Sequence, residues 1–598
     1  VNNEYNLTWD LESVFAGGSK SPALLSHLDG LEQSLAALKA QLEQLPGPET
    51  GEGRSAWYEV LMGSQQLLDR FYQAGAFLAC LNAQDVRDMD AKLLMGRLGQ
   101  AGADFGAVEI FWKDRIKQLS EPVWQQLLAD ERFSSVTFPL QEMRERALEQ
   151  LPAAEETLAN DLSVDGYHGW SELYRIISGR VTVPVEEAGR TEKLSAGQAY
   201  NKFSHPDPAF RARLFANWEE AWGEQAELCA AALNHLGGFR LAMYRRRGWD
   251  SVLKAPLDDN RMTHATLDAM WGAVEGGKDT LVAYLKRKAE LTGSGAYHWY
   301  DENAPLGAAS RAVSYDEAAG FIVEQFGRFS PQMAEFARGA FRDAWIEAED
   351  RPGKMPGGFC TPLPLSRQCR IFLTYGGDAG SVATVAHELG HAFHFHVMWE
   401  IPPMARQYAM NVAETASTFA EMITAKAAIA AAPTPDEKVA LLDDSIRRAV
   451  AMFMNIHSRF IFEERFYAAR KKGLLSVDQL NELMVQSQRD AFRGTLATPH
   501  KYFWASKGHF YGTGVPFYNF PYTFGFLFSA GIYARAMEEG RGFEQKYIDL
   551  LRDTGRMTVE ELGRRHLGVD LSRPAFWESA VKIVTADVPE FLRLTEKR

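Results

Sequence analysis

Apolar residues recur at three- and four-residue intervals through most of this 598-residue chain, and that spacing commits it to helices. Residues 24–45 repeat the pattern until Pro46-Gly47-Pro48 ends it, and residues 46–55 form a loop rich in Gly, Pro and Glu. Residues 57–81, 91–119 and 121–128 read as further amphipathic helices. The pattern weakens around residues 181–192, where Arg180-Val-Thr-Val-Pro-Val185 favours β structure. We place a domain boundary there, between an N-terminal helical domain over 1–190 and a second domain over 191–598. Helices resume over 195–248 and 263–291, and 293–314 is irregular. Arg370 to Tyr375 reads as a strand stopped by Gly376-Gly377, with Ser381 as N-cap of the next helix and another helix over 410–432. The expected fold is mostly α with a small β-sheet.

Charge narrows the function. Lys and Arg number 64 against 78 Asp and Glu, a net charge of −14, which argues against a nucleic-acid binder. Cys80, Cys229, Cys360 and Cys369 are scattered, with no C-x-x-C pair, as in a protein of a reducing compartment. One stretch, residues 508–534, runs 27 residues without Lys, Arg, Asp or Glu. Five glycines, Pro516, Pro521, Asn519 and His509 interrupt it, so it reads as a buried or cavity-lining segment and not a membrane span.

His387-Glu388-Leu389-Gly390-His391 is an H-E-x-x-H motif. On a helix its two histidines lie one turn apart on one face and reach one ion, while Glu388 faces a water on that ion as general base. Val382, Ala386, Leu389 and Phe393 fall on the opposite face, which packs. Hydrolytic zinc takes a third protein ligand and leaves one position for water. His394 lies one turn too far along to join easily and reads as a substrate-side residue; His396 falls among apolar positions and reads as core. Glu414, separated from His391 by 22 residues and on a second helix, is the expected third ligand, with Glu421 orienting a histidine behind it.

These residues resemble a known family. Tyr375-Gly-Gly before Ala386-His-Glu-Leu-Gly-His-Ala-Phe-His394, with Glu414 after it, is similar to the thimet oligopeptidase-like metallopeptidases, and most to their oligoendopeptidase F branch. Trp9-Asp10-Leu11, Gly353-Lys354 with Gly357-Gly358-Phe359, and Phe517-Tyr518-Asn519-Phe520-Pro521-Tyr522 agree with it. The resemblance implies a zincin-like catalytic domain, a deep channel between two halves, one zinc per chain, a cytoplasmic setting and oligopeptide substrates, with no nucleic-acid or membrane partner. It also implies that His509, Tyr511, Tyr518 and Tyr522 are the candidates to close over the substrate and stabilise its oxyanion. The peptide backbone would lie along Gly357, Gly358, Tyr375, Gly376 and Gly377 by β-addition. An endopeptidase leads; a carboxypeptidase or dipeptidyl carboxypeptidase on the same site, and a non-catalytic zinc-stabilised peptide-binding protein, stay open, as does the oligomeric state.

Overall fold

A computed structural model describes residues 4–187, 189–306 and 312–597. Residues 307–311, part of the irregular stretch, lie outside it. The fold is mostly α-helical with two small sheets. Pro22–Glu43 starts at Ser21, whose hydroxyl accepts from the Leu24 amide, and it buries Leu24, Leu28, Leu31, Leu35, Leu38 and Leu42 as one stripe. Gly51–Gln84 and Met89–Gln118 pack against it. Their hydrophobic core runs from Trp9 to Leu140 and takes in Leu363 and Phe372 from the second sheet.

The β-prone piece is one arm of an antiparallel hairpin, β1 (Thr182–Glu187) with β2 (Arg190–Ser195). The larger hydrophobic core begins before this hairpin, at Tyr167, and continues to Phe591. The second sheet has the order β3 (Ile346–Glu347), β5 (Gln368–Phe372), β4 (Phe359–Leu363), with β3 parallel and β4 antiparallel to β5. The strand expected over 370–375 is thus shifted towards its N-terminus and lies in the middle of the sheet. Past Phe372 its amides still bond to the β3 side, Leu373 to Glu347 O at 3.0 Å and Tyr375 to Ala348 O at 2.9 Å. The free edge belongs to β4.

Ala379–Val397, the metal helix, is capped by Asp378, whose carboxylate accepts from the Ser381 amide at 2.7 Å. Ser381 lies inside the first turn and is not the cap. The helix expected over 410–432 breaks at Glu414 into Met410–Ala413 and Thr415–Ala431. A helical run without interruption follows, Pro435–Val450, a π-turn Ala451–Asn455 and Ile456–Arg470. In the uncharged stretch, a 3₁₀ turn Gly508–Tyr511 and a loop lead into Phe520–Glu539, which buries Phe520, Phe524, Leu527 and Phe528. Among the described residues no helix is long and apolar enough to cross a membrane.

Candidate active site

The site is built where the metal helix crosses Thr415–Ala431. Leu389 and Phe393 seat the metal helix on the core, 0% and 1% exposed, and leave His387 and His391 on the open face. Gly390 sets the separation of the two helices. A Cβ there would lie 2.5 Å from Ala416 O and 2.6 Å from Ser417 Cα, so only glycine lets the backbones meet. Glu414 stands at the break before the second helix. Asn411 fixes that break: its amide and side chain bond to Asn260 at 3.1 and 2.9 Å.

The three expected ligands converge. His387 Nε2 and His391 Nε2 each lie 3.3 Å from the same Glu414 Oε2. Donors placed 2.0–2.1 Å from one ion at tetrahedral angles stand about 3.3 Å apart, so the set fits a zinc-sized ion. His387 Nδ1 lies 3.3 Å from Glu421 Oε2, and Arg448 pairs with the other Glu421 oxygen. With Nδ1–H given to Glu421, His387 turns the lone pair of Nε2 towards Glu414, an arrangement that calls for a cation between them. Ser417 Oγ donates to Glu414 Oε2 at 2.7 Å and steadies its rotamer. Arg448 carried no signal in the sequence, because it is on a helix that meets the site only in three dimensions.

Glu388 is 7% exposed. Burial pushes its carboxyl above the usual range, the histidines pull it back, and the Glu414 charge raises it further. A Cβ on Gly358 would lie 3.7 Å from Glu388 Oε1, so the start of β4 runs beside this carboxyl. The start of β4, with Gly357 at φ +98° and Gly358 after it, is thus the strand backbone that runs past the site. The backbone of Tyr375, Gly376 and Gly377 is already paired: the Tyr375 amide donates to Ala348 O at 2.9 Å, the Gly376 amide to Ser381 Oγ at 3.0 Å, and Gly377 O accepts from the Val313 amide at 2.8 Å.

The cavity beside the ligands measures about 770 Å³ and is lined by His387, Glu414, Arg448, Met452, Tyr522 and Phe526, among others. Tyr522 has Tyr518 at 5.6 Å between ring centroids, and His509 stacks on Tyr518 at 5.0 Å. Burial first, then Tyr518 and the Glu414 charge, raise the Tyr522 hydroxyl, which stays a proton donor. Burial, with Arg459 and Lys507, lowers His509 to about 4, so its ring is neutral. Two expected residues fall elsewhere. Tyr511 is 1% exposed and stacks on Tyr174 at 3.6 Å, inside the core. His394 is fully buried, with Nε2 2.9 Å from Thr554 Oγ1 and 3.1 Å from Leu551 O. His396, expected in the core, is the exposed one.

Comparisons with known proteins agree with this centre. A model of Peptidase family M3 matches residues 325–582, and one described as Oligopeptidase F matches residues 115–182. The Oligoendopeptidase F homolog of Lactococcus lactis subsp. lactis is 22% identical over 608 residues, covering 99% of this chain and 98% of that protein. The plasmid Oligoendopeptidase F of Lactococcus lactis subsp. cremoris is 22% identical over 614 residues, with the same coverage of 99% and 98%. The crystal structure of oligoendopeptidase-F from Enterococcus faecium shares the fold, with a TM-score of 0.70 at 17% identity over 95% of this chain and 99% of that one. The chain belongs to peptidase family M3, in its oligoendopeptidase F branch, and is a metallopeptidase.

Proposed function

We propose that this peptidase is a zinc-dependent oligoendopeptidase that cuts internal bonds of short, unfolded peptides. His387, His391 and Glu414 would hold one zinc per chain, and Glu388 is the general base. The observation that carries this reading is the meeting of both Nε2 atoms on one Glu414 oxygen, 3.3 Å from each, beside a buried carboxyl. Zinc bound there supplies Lewis acidity and brings the pKa of water towards neutrality. Glu388 takes a proton from the attacking water and returns it to the leaving amine. Glu421 and Arg448 keep the His387 ring in one tautomer and one orientation. Tyr522, with Tyr518 and His509 behind it, donates to the oxyanion. An extended peptide adds to the free edge of β4, where the glycines leave its backbone open. That mode of docking needs a chain free of its own secondary structure, hence short substrates. The four free thiols suit a cytoplasmic setting, and we keep the division at residue 190 as part of this reading.

The test incubates zinc-loaded protein with mixed peptides of graded length, with and without chelator, and reads cut sites by mass spectrometry. Chelator-sensitive internal cuts in short peptides are expected, and none from Glu388→Gln. Turnover by Glu388→Gln with zinc retained would overturn the mechanism.

A further inference from the structure

The loop that delivers Tyr518 and Tyr522 to the cavity contains a strained residue. Phe517, directly before Tyr518, takes φ +53°, in the left-handed region that a bulky side chain rarely adopts. Such a backbone persists only where its surroundings over-determine it. Phe517 is 1% exposed, with its ring stacked on Tyr467 at 5.6 Å and 5.8 Å from Phe460. Asn519 is fully buried, and Tyr518 between them is half-buried and meets Tyr522 and His509.

The loop is held at both ends. At its start, Arg240 donates to Gly512 O and the Tyr167 hydroxyl donates to Thr513 O at 3.1 Å. At its end stands Glu463, 4% exposed, on the helix Ile456–Arg470. Asn519 donates to Glu463 Oε2 at 3.3 Å, and the Phe517 N–H faces the same carboxyl. Asn519 begins the helix Phe520–Glu539, yet its side chain does not cap it; its oxygen accepts from Arg459 at 3.1 Å. The Asn519 carbonyl accepts from the Tyr522 amide at 3.1 Å, so the anchored residue also fixes the turn that carries Tyr522.

An ionised carboxylate accepts on both oxygens; the protonated acid turns one of them into a donor. Among the described residues Glu463 forms no ion pair, so its bonds go to the loop. The charged and titratable groups that face it are Arg240 on Ala226–Arg246, Arg459 one turn back on its own helix and Tyr467 one turn on; Glu302 and Lys507 face Arg459. Burial raises the carboxyl to about 7, while Arg240, Asn519, Phe517 and Arg459 hold it back. The anchor is therefore ionised above neutral pH and uncharged below it.

We propose that Glu463 is a positioning residue for peptide cleavage: its carboxylate holds Phe517 in the left-handed turn that aims Tyr518 and Tyr522 at the metal cavity. This rests on the peptidase reading of the metal site, in which Tyr522 donates to the oxyanion, and names what keeps that donor in place. Glu463→Gln keeps the shape of the side chain and removes its charge at every pH, so it copies the protonated acid.

In the zinc-loaded, full-length protein, deuterium exchange of residues 512–519, corrected for the chemical rate, should run about tenfold faster in Glu463→Gln than in wild type at pH 8, the worth of one hydrogen bond to a charged group. Wild type should approach the variant as pH falls through 7. Its kcat on a peptide substrate should exceed the variant's about tenfold at pH 8 with KM little changed, and the ratio should fall towards one at pH 6. Exchange that is equal in the two proteins, or flat with pH in wild type, overturns the anchor and leaves the peptidase reading standing. A kcat ratio near one at pH 8, or the same at both pH values, overturns the positioning role. No cutting by wild type overturns the peptidase reading, and the positioning role with it, whatever the exchange shows.

Discussion

Gly390→Ala tests the helix crossing that assembles the metal site. The added methyl would sit 2.5 Å from Ala416 O and 2.6 Å from Ser417 Cα, both backbone atoms that no rotamer change can move. A carbon and a carbonyl oxygen come to rest at about 3.3 Å, so the helices must part by about 0.8 Å from the present 2.5 Å approach. His387 and His391 travel with one helix and Glu414 adjoins the other. Their 3.3 Å separations then stretch towards about 4 Å, longer than a tetrahedral set of ligands at 2.0–2.1 Å allows. Overpacking of this kind costs about 1–3 kcal/mol. If zinc has to pull the helices back together, its binding weakens roughly 5- to 150-fold. The assay is zinc competition against a chromophoric chelator for wild type and variant, with circular dichroism to confirm that both are folded. A variant whose zinc affinity and melting profile match wild type would refute the argument that glycine sets the crossing.

Other perturbations probe the site from different sides. Glu421→Gln and Arg448→Ala should each weaken zinc binding about 10- to 100-fold by loosening His387, read by the same competition; unchanged affinity in both would remove their orienting role. Tyr522→Phe should lower kcat about 100- to 1000-fold with little change in KM, and a larger loss in Tyr518→Phe would move the oxyanion donor to that residue. His394 is fully buried, and burial holds it down at about 3, so the unfolded chain takes up its proton first as pH falls below about 6.5. Its stability contribution is present at neutral pH and is lost between about 6.5 and 3, amounting to about 2 kcal/mol at pH 5. His394→Gln should therefore flatten the fall of Tm between pH 7 and 5, and a slope identical to wild type would count against it.

The metal motif was legible because it is local: helix geometry alone places His387 and His391 together. Glu414 needed the second helix, and its place was read from spacing and family resemblance. Features that depend on distant partners left no trace. His394, expected on the substrate side, is buried and His396, expected in the core, is exposed, because Thr554 and the Leu551 carbonyl, far along the chain, supply acceptors for His394. The run ending at Tyr375 has the composition of a strand whether it is central or at an edge, and only its pairing with β3 and β4 decides. The break at Glu414 is invisible in a helix-forming stretch, since the Asn260 bonds that hold it come from 151 residues away. Tyr511 and Tyr518 look alike in sequence, yet one is sealed against Tyr174 and the other stacks on His509 beside the cavity.

The close approach of Gly390 to the Ala416 backbone has a bearing on how the ion is exchanged. Because interlocked main chains hold the ligands in register, the empty seat keeps its shape. Stripping the ion should leave a dormant enzyme that revives on remetallation as fast as zinc can diffuse in and shed its water, with no refolding lag.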